Sequence, residues 1–241
     1  MNSQSANESD AVTIVYTFRF KGDEFTQVRL SFHRITFELL QSRTAKPPAW
    51  AVLDYYKCGH CPLVAATSPL CPFAEAVAAF IPQFEKFYSY DEATVEVATE
   101  RRTIVYHGPL QNGMAALIGL AGATCGCPHL AFLRPMARFH LPFASEGETM
   151  YRAVSMDLLR QYLLHDAQRD QWPSLDGLRR CYAAAAKVNM GMAARIRAGS
   201  VRDAAINGLI ILDTFAQAAP YVIEGKLEEL RHIFENGNPL D

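Results

Sequence analysis

The chain has 241 residues, a mass of 26.8 kDa and a formal net charge of −2. Its residues are 50% hydrophobic and 20% charged, an ordinary globular composition that excludes a mostly disordered chain. The near-neutral balance argues against a nucleic-acid binder that works by neutralising phosphates, and a chain of this length buries a core without disulfide staples.

Residues 1–10 read as a disordered tail with neither the basic nor the apolar segment of a secretory signal. From Val12 to Phe20 apolar residues fall on alternate positions, the period of a half-buried strand. Lys21-Gly22-Asp23-Glu24 supplies a turn, and Phe25 to His33 alternates again, so the pair predicts a β-hairpin. Ile35, Phe37 and Leu39 suggest a third strand, and Ser42–Pro48 a loop. Ala51–Tyr56 is a short apolar run feeding the first cysteines. Pro72–Phe84 has helical spacing, Thr94–Ala98 and Thr103–His107 predict two more strands, and Gln111–Ala121 a helix.

Beyond that point the pattern is helical. Ser145 and Glu148 have the spacing of a capping box opening a helix with Met150, Val154, Leu158 and Tyr162 on one stripe. A second helix starts near Pro173 and runs to about Ala198, and a third is capped by Ser200 with Asp203. Pro220 is expected to open a last helix, stopped at Asn236-Gly237. The expected fold class is α+β: an N-terminal antiparallel hairpin or small sheet to about residue 110, then a mostly helical C-terminal half from about residue 111. With no polar linker between the halves, residues 11–241 are expected to form a single domain.

Five of the six cysteines fall in two clusters, Cys58-Gly59-His60-Cys61-Pro62 with Cys71-Pro72, and Cys125-Gly126-Cys127-Pro128-His129. A C-x-x-C pair turns two sulfurs toward one ion, and tetrahedral zinc takes four thiolate or imidazole ligands. Iron–sulfur clusters also take four cysteines. Proline favours the first helical position, so Cys71 and Cys127 are expected at helix N-caps, where the dipole would lower the thiol pKa. The preferred metal ligands are Cys58, Cys61, Cys71 and Cys127, with Cys125 or His129 as possible replacements. Cys181, among alanines on a helix, is expected to be a small core residue.

The pair Cys58 and Cys61 also matches a dithiol redox motif. Against that stand Pro62, the nearby Cys71 and the lack of a surrounding βαβ pattern. Arg134, Arg138 and His140 form a second group that would suit an anion, weighed against pairing with Glu146, Glu148 or nearby carbonyls. The structural alternative is preferred. His140 and His107 are read as structural, and Phe80, Phe84 and Phe87 as core. Phosphate-cradling glycine loops, G-x-S-x-G elbows and H-E-x-x-H signatures are missing from the sequence.

The segments CPL at 61–63, CP at 71–72, CPH at 127–129, RPMARFHLPF at 134–143 and ETMYR at 148–152 resemble an uncharacterised proteobacterial domain-of-unknown-function family. The resemblance covers roughly residues 50–215 and implies no activity. Its Cys-Pro positions favour Cys58, Cys61, Cys71 and Cys127 over Cys125. The expectation is a cytosolic protein with one structural or regulatory metal centre, zinc or alternatively an iron–sulfur cluster, and a protein partner on its helical half. The longest apolar-looking stretch, Met114–Ala123, is interrupted by Gly119 and Gly122 and is too short for a bilayer, so no membrane partner is expected. The alternative is a thiol–disulfide oxidoreductase using Cys58 and Cys61.

Overall fold

The structure, a computed structural model, describes residues 10–40, 46–164, 173–199, 203–225 and 227–235. Strands β1 (Ala11–Arg19) and β2 (Phe25–His33) form the predicted hairpin, in register from Ala11↔His33 to Arg19↔Phe25. Ile14, Tyr16 and Phe18 of β1 and Val28, Leu30 and Phe32 of β2 are buried on one face, as strand alternation requires. Gly22 (φ 79°) and Asp23 (φ 61°) reverse the chain between them.

The third strand expected at Ile35–Leu39 does not form. The His33 ring nitrogen accepts the Thr36 amide at 3.1 Å and folds the chain into a turn. Phe37 then stacks on Phe32 with ring centroids 4.6 Å apart, while Ile35 is exposed. Leu39 makes an isolated bridge to Phe32. Residues 41–45 of the expected loop lie outside the described residues.

Strands β3 (Glu92–Ala98) and β4 (Thr103–Pro109) complete an antiparallel sheet of order β2-β1-β3-β4. Between β2 and β3 lie a short 3-10 turn at Ala49–Ala51, helix α1 (Pro72–Ala78) and a second 3-10 turn at Ile81–Phe84. The helix expected over Pro72–Phe84 is therefore cut short, because Pro82 has no N–H to give the Ala78 carbonyl. The run Ala51–Tyr56 ends the 3-10 segment, bridges to Leu70 at Val52 and then turns.

Helix α2 (Leu110–Thr124) covers the inner face of the sheet. A Cβ on Gly113 would stand 2.6 Å from Phe18 Cε1 and 3.0 Å from Val95 Cγ2, so the glycine sets how closely helix and sheet approach. Next come α3 (Arg134–Arg138), α4 (Glu146–Leu163), α5 (Asp176–Ala198), α6 (Asp203–Glu224) and α7 (Glu228–Glu235). The fold is α+β, a four-stranded antiparallel sheet followed by a mostly helical half. One connected set of buried side chains runs from Ile14 to Leu230.

The capping box at α4 is present: Ser145 Oγ accepts the Glu148 amide (3.2 Å) and Glu148 Oε2 accepts the Ser145 amide (2.7 Å). Of the stripe predicted there, Met150 and Val154 are buried, but Leu158 is 37% and Tyr162 79% exposed. Pro220 lies inside α6 and does not open the last helix. Ser200 and Asn236-Gly237 lie outside the described residues. Helix α6 is long and apolar enough to cross a membrane by length and composition. Here it packs against α2 and α5, with Gly208 lying against the backbone of Ala115.

Candidate metal centre

The first cysteine stretch is a closed excursion from the sheet. Val52 bridges to Leu70, the Leu53 amide donates to Pro69 O (2.9 Å), and the Cys71 amide donates to Ala51 O (2.9 Å). These bonds bring Cys71 back beside the start of the excursion. Within it, the Cys61 amide donates to Cys58 O (2.9 Å) and tightens the C-x-x-C turn. Cys71 is the N-cap of α1, with Pro72 at the first helical position, as expected.

The base of the excursion is held by Arg195 of α5, which is 2% exposed. Its guanidinium donates to the carbonyls of Trp50 (2.7 Å), Val52 and Leu53 (3.0 Å). Among the described residues it forms no ion pair. It is a buried positive charge next to Cys58, whose thiolate it favours.

The second stretch begins where α2 ends. Cys125 is the C-cap of that helix and donates its thiol to Gly122 O (3.2 Å). Gly126, with φ 91°, turns the chain. The Cys127 carbonyl then accepts the amides of Leu130 and Ala131, both at 3.1 Å. Cys127 thus opens a single turn before a 3-10 segment, not the helix expected of it.

The two stretches meet. His129 Nε2 donates to His60 O (2.9 Å), and the two imidazole rings lie 4.0 Å apart. His60 Nε2 donates to Ala184 O of α5 (3.1 Å). Gly191 of the same helix admits Cys58, since a Cβ there would lie 2.8 Å from the Cys58 sulfur.

The electrostatics follow from this convergence. Burial pushes the Cys58 thiol up, and negative charge on Cys71 or Cys61 would push it further. Burial raises Cys127 to about 11, partly offset by the His129 amide and reinforced by Cys71 and Cys58. This overturns the lowered pKa expected for Cys127, since no helix dipole points at it. Burial holds Cys125 well above the ordinary thiol range, with Cys127 adding to the effect. Cys125 also faces the negative end of α2. His60 is shifted down by burial and by the neighbouring His129.

Cys58 is thus coupled to Cys61 and Cys71, Cys127 to Cys58 and Cys71, and Cys125 to Cys127 and Cys71. All are free. As the side chains stand, no three or more His, Cys, Asp or Glu among the described residues are arranged to hold a metal ion. The donor set nevertheless fits a soft, thiophilic cation in its chemistry, with a buried guanidinium alongside to offset surplus thiolate charge. Cys181 stands apart from the cluster and is half-buried, not a core residue. Burial raises its thiol, and Asp157, Arg160 and Arg180 surround it.

A family model, the domain of unknown function DUF6901, matches residues 14–235. The chain belongs to this family. The match takes in the sheet as well as the cysteine segments, a wider span than residues 50–215. No curated protein and no solved structure matches the chain.

The RPMARFHLPF segment serves the fold. Arg134 Nη1 pairs with Glu38 (2.9 Å), and Arg138 Nη1 donates to Ile35 O (2.9 Å), so both fasten α3 to the turn after β2. The partners Glu146 and Glu148 weighed from the sequence are not used. His140 Nε2 accepts the buried Tyr16 hydroxyl (2.6 Å). Burial drives His140 down to about 3 and Tyr16 well above its ordinary value, so both are neutral. Arg195 and Gly191 had no signal in the sequence, because their roles depend on a segment about 140 residues away.

Proposed function

We propose that the protein holds one zinc ion through Cys58, Cys61, Cys71 and Cys127, and that the ion fastens the excursion after β2 to the end of α2. The observation that supports this reading is the convergence of the two cysteine stretches, joined by the hydrogen bond from His129 to His60 O, with Cys58 and Cys127 coupled to each other and to Cys71 and the buried Arg195 beside Cys58. Zinc would convert four thiols to thiolates and contribute folding energy there. Arg195 would then offset part of the surplus negative charge, and the His60 and His129 rings would shield the sulfurs from water. Cys125, bonded to Gly122 O at a helix C-terminus, is not assigned a ligand role. The role is structural or regulatory, in the cytosol, with a protein partner on the helical half. Exposed Leu159, Tyr162, Leu163 and Leu164 at the end of α4 support that partner. The dithiol-enzyme reading is disfavoured, since burial raises the Cys58 thiol where an attacking cysteine needs it lowered.

Elemental analysis of untagged full-length protein, purified anaerobically, tests the proposal. About one zinc per chain is expected, and Cys71→Ser should lose it while Cys181→Ser keeps it. A brown protein containing iron and sulfide would replace zinc with a cluster. Folded protein without metal that reduces disulfides through Cys58 would overturn the proposal.

A further inference from the structure

A cavity of about 500 Å³ lies among α2, α3, α4, α5 and α6, within the size range of small-molecule sites. Its walls are mostly apolar, with Ala116, Ile118, Leu133, Met136, Leu212 and Phe215 among them. Two polar groups stand out against this lining. Tyr182 of α5 is 2% exposed, yet its hydroxyl has no hydrogen-bond partner among the described residues. Its ring is gripped edge-on by Phe132 (5.3 Å) and Phe215 (5.6 Å), so the hydroxyl is not free to swing out to water. Arg152 of α4 is the second. Its Nη2 donates to Phe139 O (2.8 Å) and Met136 O (3.2 Å), which fixes one edge of the guanidinium.

Arg152 makes no salt bridge among the described residues. The acid nearest in sequence, Glu148, accepts the Ser145 amide with one carboxylate oxygen and offsets part of the Arg152 charge electrostatically. His140, also on the wall, accepts from Tyr16 and is neutral, so the exposed Glu146 at the rim is the other charged group in the lining. Arg152 and Tyr182 both line the cavity. Burial pulls Arg152 below its ordinary pKa, with Tyr182 and Glu148 acting the other way. An anionic acceptor would answer both the unbonded hydroxyl and the guanidinium nitrogens that the Met136 and Phe139 carbonyls leave unused. A planar carboxylate suits the fork geometry of arginine.

The geometry points to a binding site for a small amphipathic organic acid, its carboxylate held by Arg152 and Tyr182 and its hydrocarbon body lying along the α2–α6 wall. The inference does not depend on the cysteine centre, which uses other residues.

Isothermal titration of the full-length protein with decanoate and with decanol, both below their aggregation concentrations, tests it. Decanoate is expected to bind saturably, at least about tenfold more tightly than decanol, the effect of a charge-assisted hydrogen-bonded head. Arg152→Met should erase that preference. Because Arg152 also holds two carbonyls, Tyr182→Phe provides the second arm: it keeps the ring and should weaken decanoate severalfold while leaving decanol unchanged. Leu212→Trp, which fills the cavity, should abolish binding of both. No saturable decanoate binding, equal affinity for decanol, or binding unaffected by Leu212→Trp would overturn the site and leave a cavity that holds only water.

Discussion

The Tyr182 hydroxyl is an isolated polar group in the core, and leaving such a group unpaired costs about 1–3 kcal/mol. Tyr182→Phe is therefore expected to leave unliganded stability unchanged or raise it by about 1 kcal/mol, read by urea denaturation. A residue kept for packing alone would show no accompanying loss of acid binding. His140 makes the opposite trade: its pKa is about 3 in the fold against 6.5 unfolded. The unfolded state takes up the proton first, so stability is full above about pH 6.5 and falls as the pH drops toward 3. His140→Gln keeps an acceptor for Tyr16 and should flatten that slope relative to wild type, by up to about 4 kcal/mol at pH 3. The comparison is needed because His60 titrates in the same direction. At this scale the sequence was informative about the cysteines, since pairs at short spacing advertise themselves. It was silent on Arg152, Tyr182 and Arg195, whose significance lies in what other segments fail to offer them.

Among the elements, those with a strong local signature read correctly. The hairpin β1–β2 has alternating burial and turn residues able to adopt positive φ. Helix α4 begins at a reciprocal cap that its sequence spells out. Ser145→Ala is expected to cost about 1 kcal/mol, measurable as a lowered urea midpoint with unchanged slope. The errors came where a side chain or a proline overrides period. His33 bends the chain that a third strand would have needed. Pro82 ends α1, whereas Pro220 is accommodated near the end of α6. Packing between elements was invisible in the same way. A glycine inside a helix lowers its propensity, yet Gly113 is where α2 rests on Phe18 and Val95. Gly113→Ala should therefore destabilise by about 1–3 kcal/mol despite its better helix propensity, as judged by thermal unfolding.

For the whole molecule, alternation and helical spacing were enough to place a sheet before a helical half, but not to order the strands, because a period states which face is buried and not which strand lies alongside. Arg195 joins the two halves through three carbonyls of residues 50–53. Arg195→Met should cost about 3 kcal/mol or more through orphaned carbonyls, and should lower zinc retention with it, as seen by thermal unfolding and elemental analysis of the same sample. The order β2-β1-β3-β4 has a further bearing on biogenesis. β1 receives its second neighbour from residues 92–98, long after the hairpin has left the ribosome. Until then one side of β1 offers unpaired amides and carbonyls to any passing strand. A nascent chain halted before Glu92 should therefore be sticky, and the protein's yield should depend on how quickly translation carries it past Ala98.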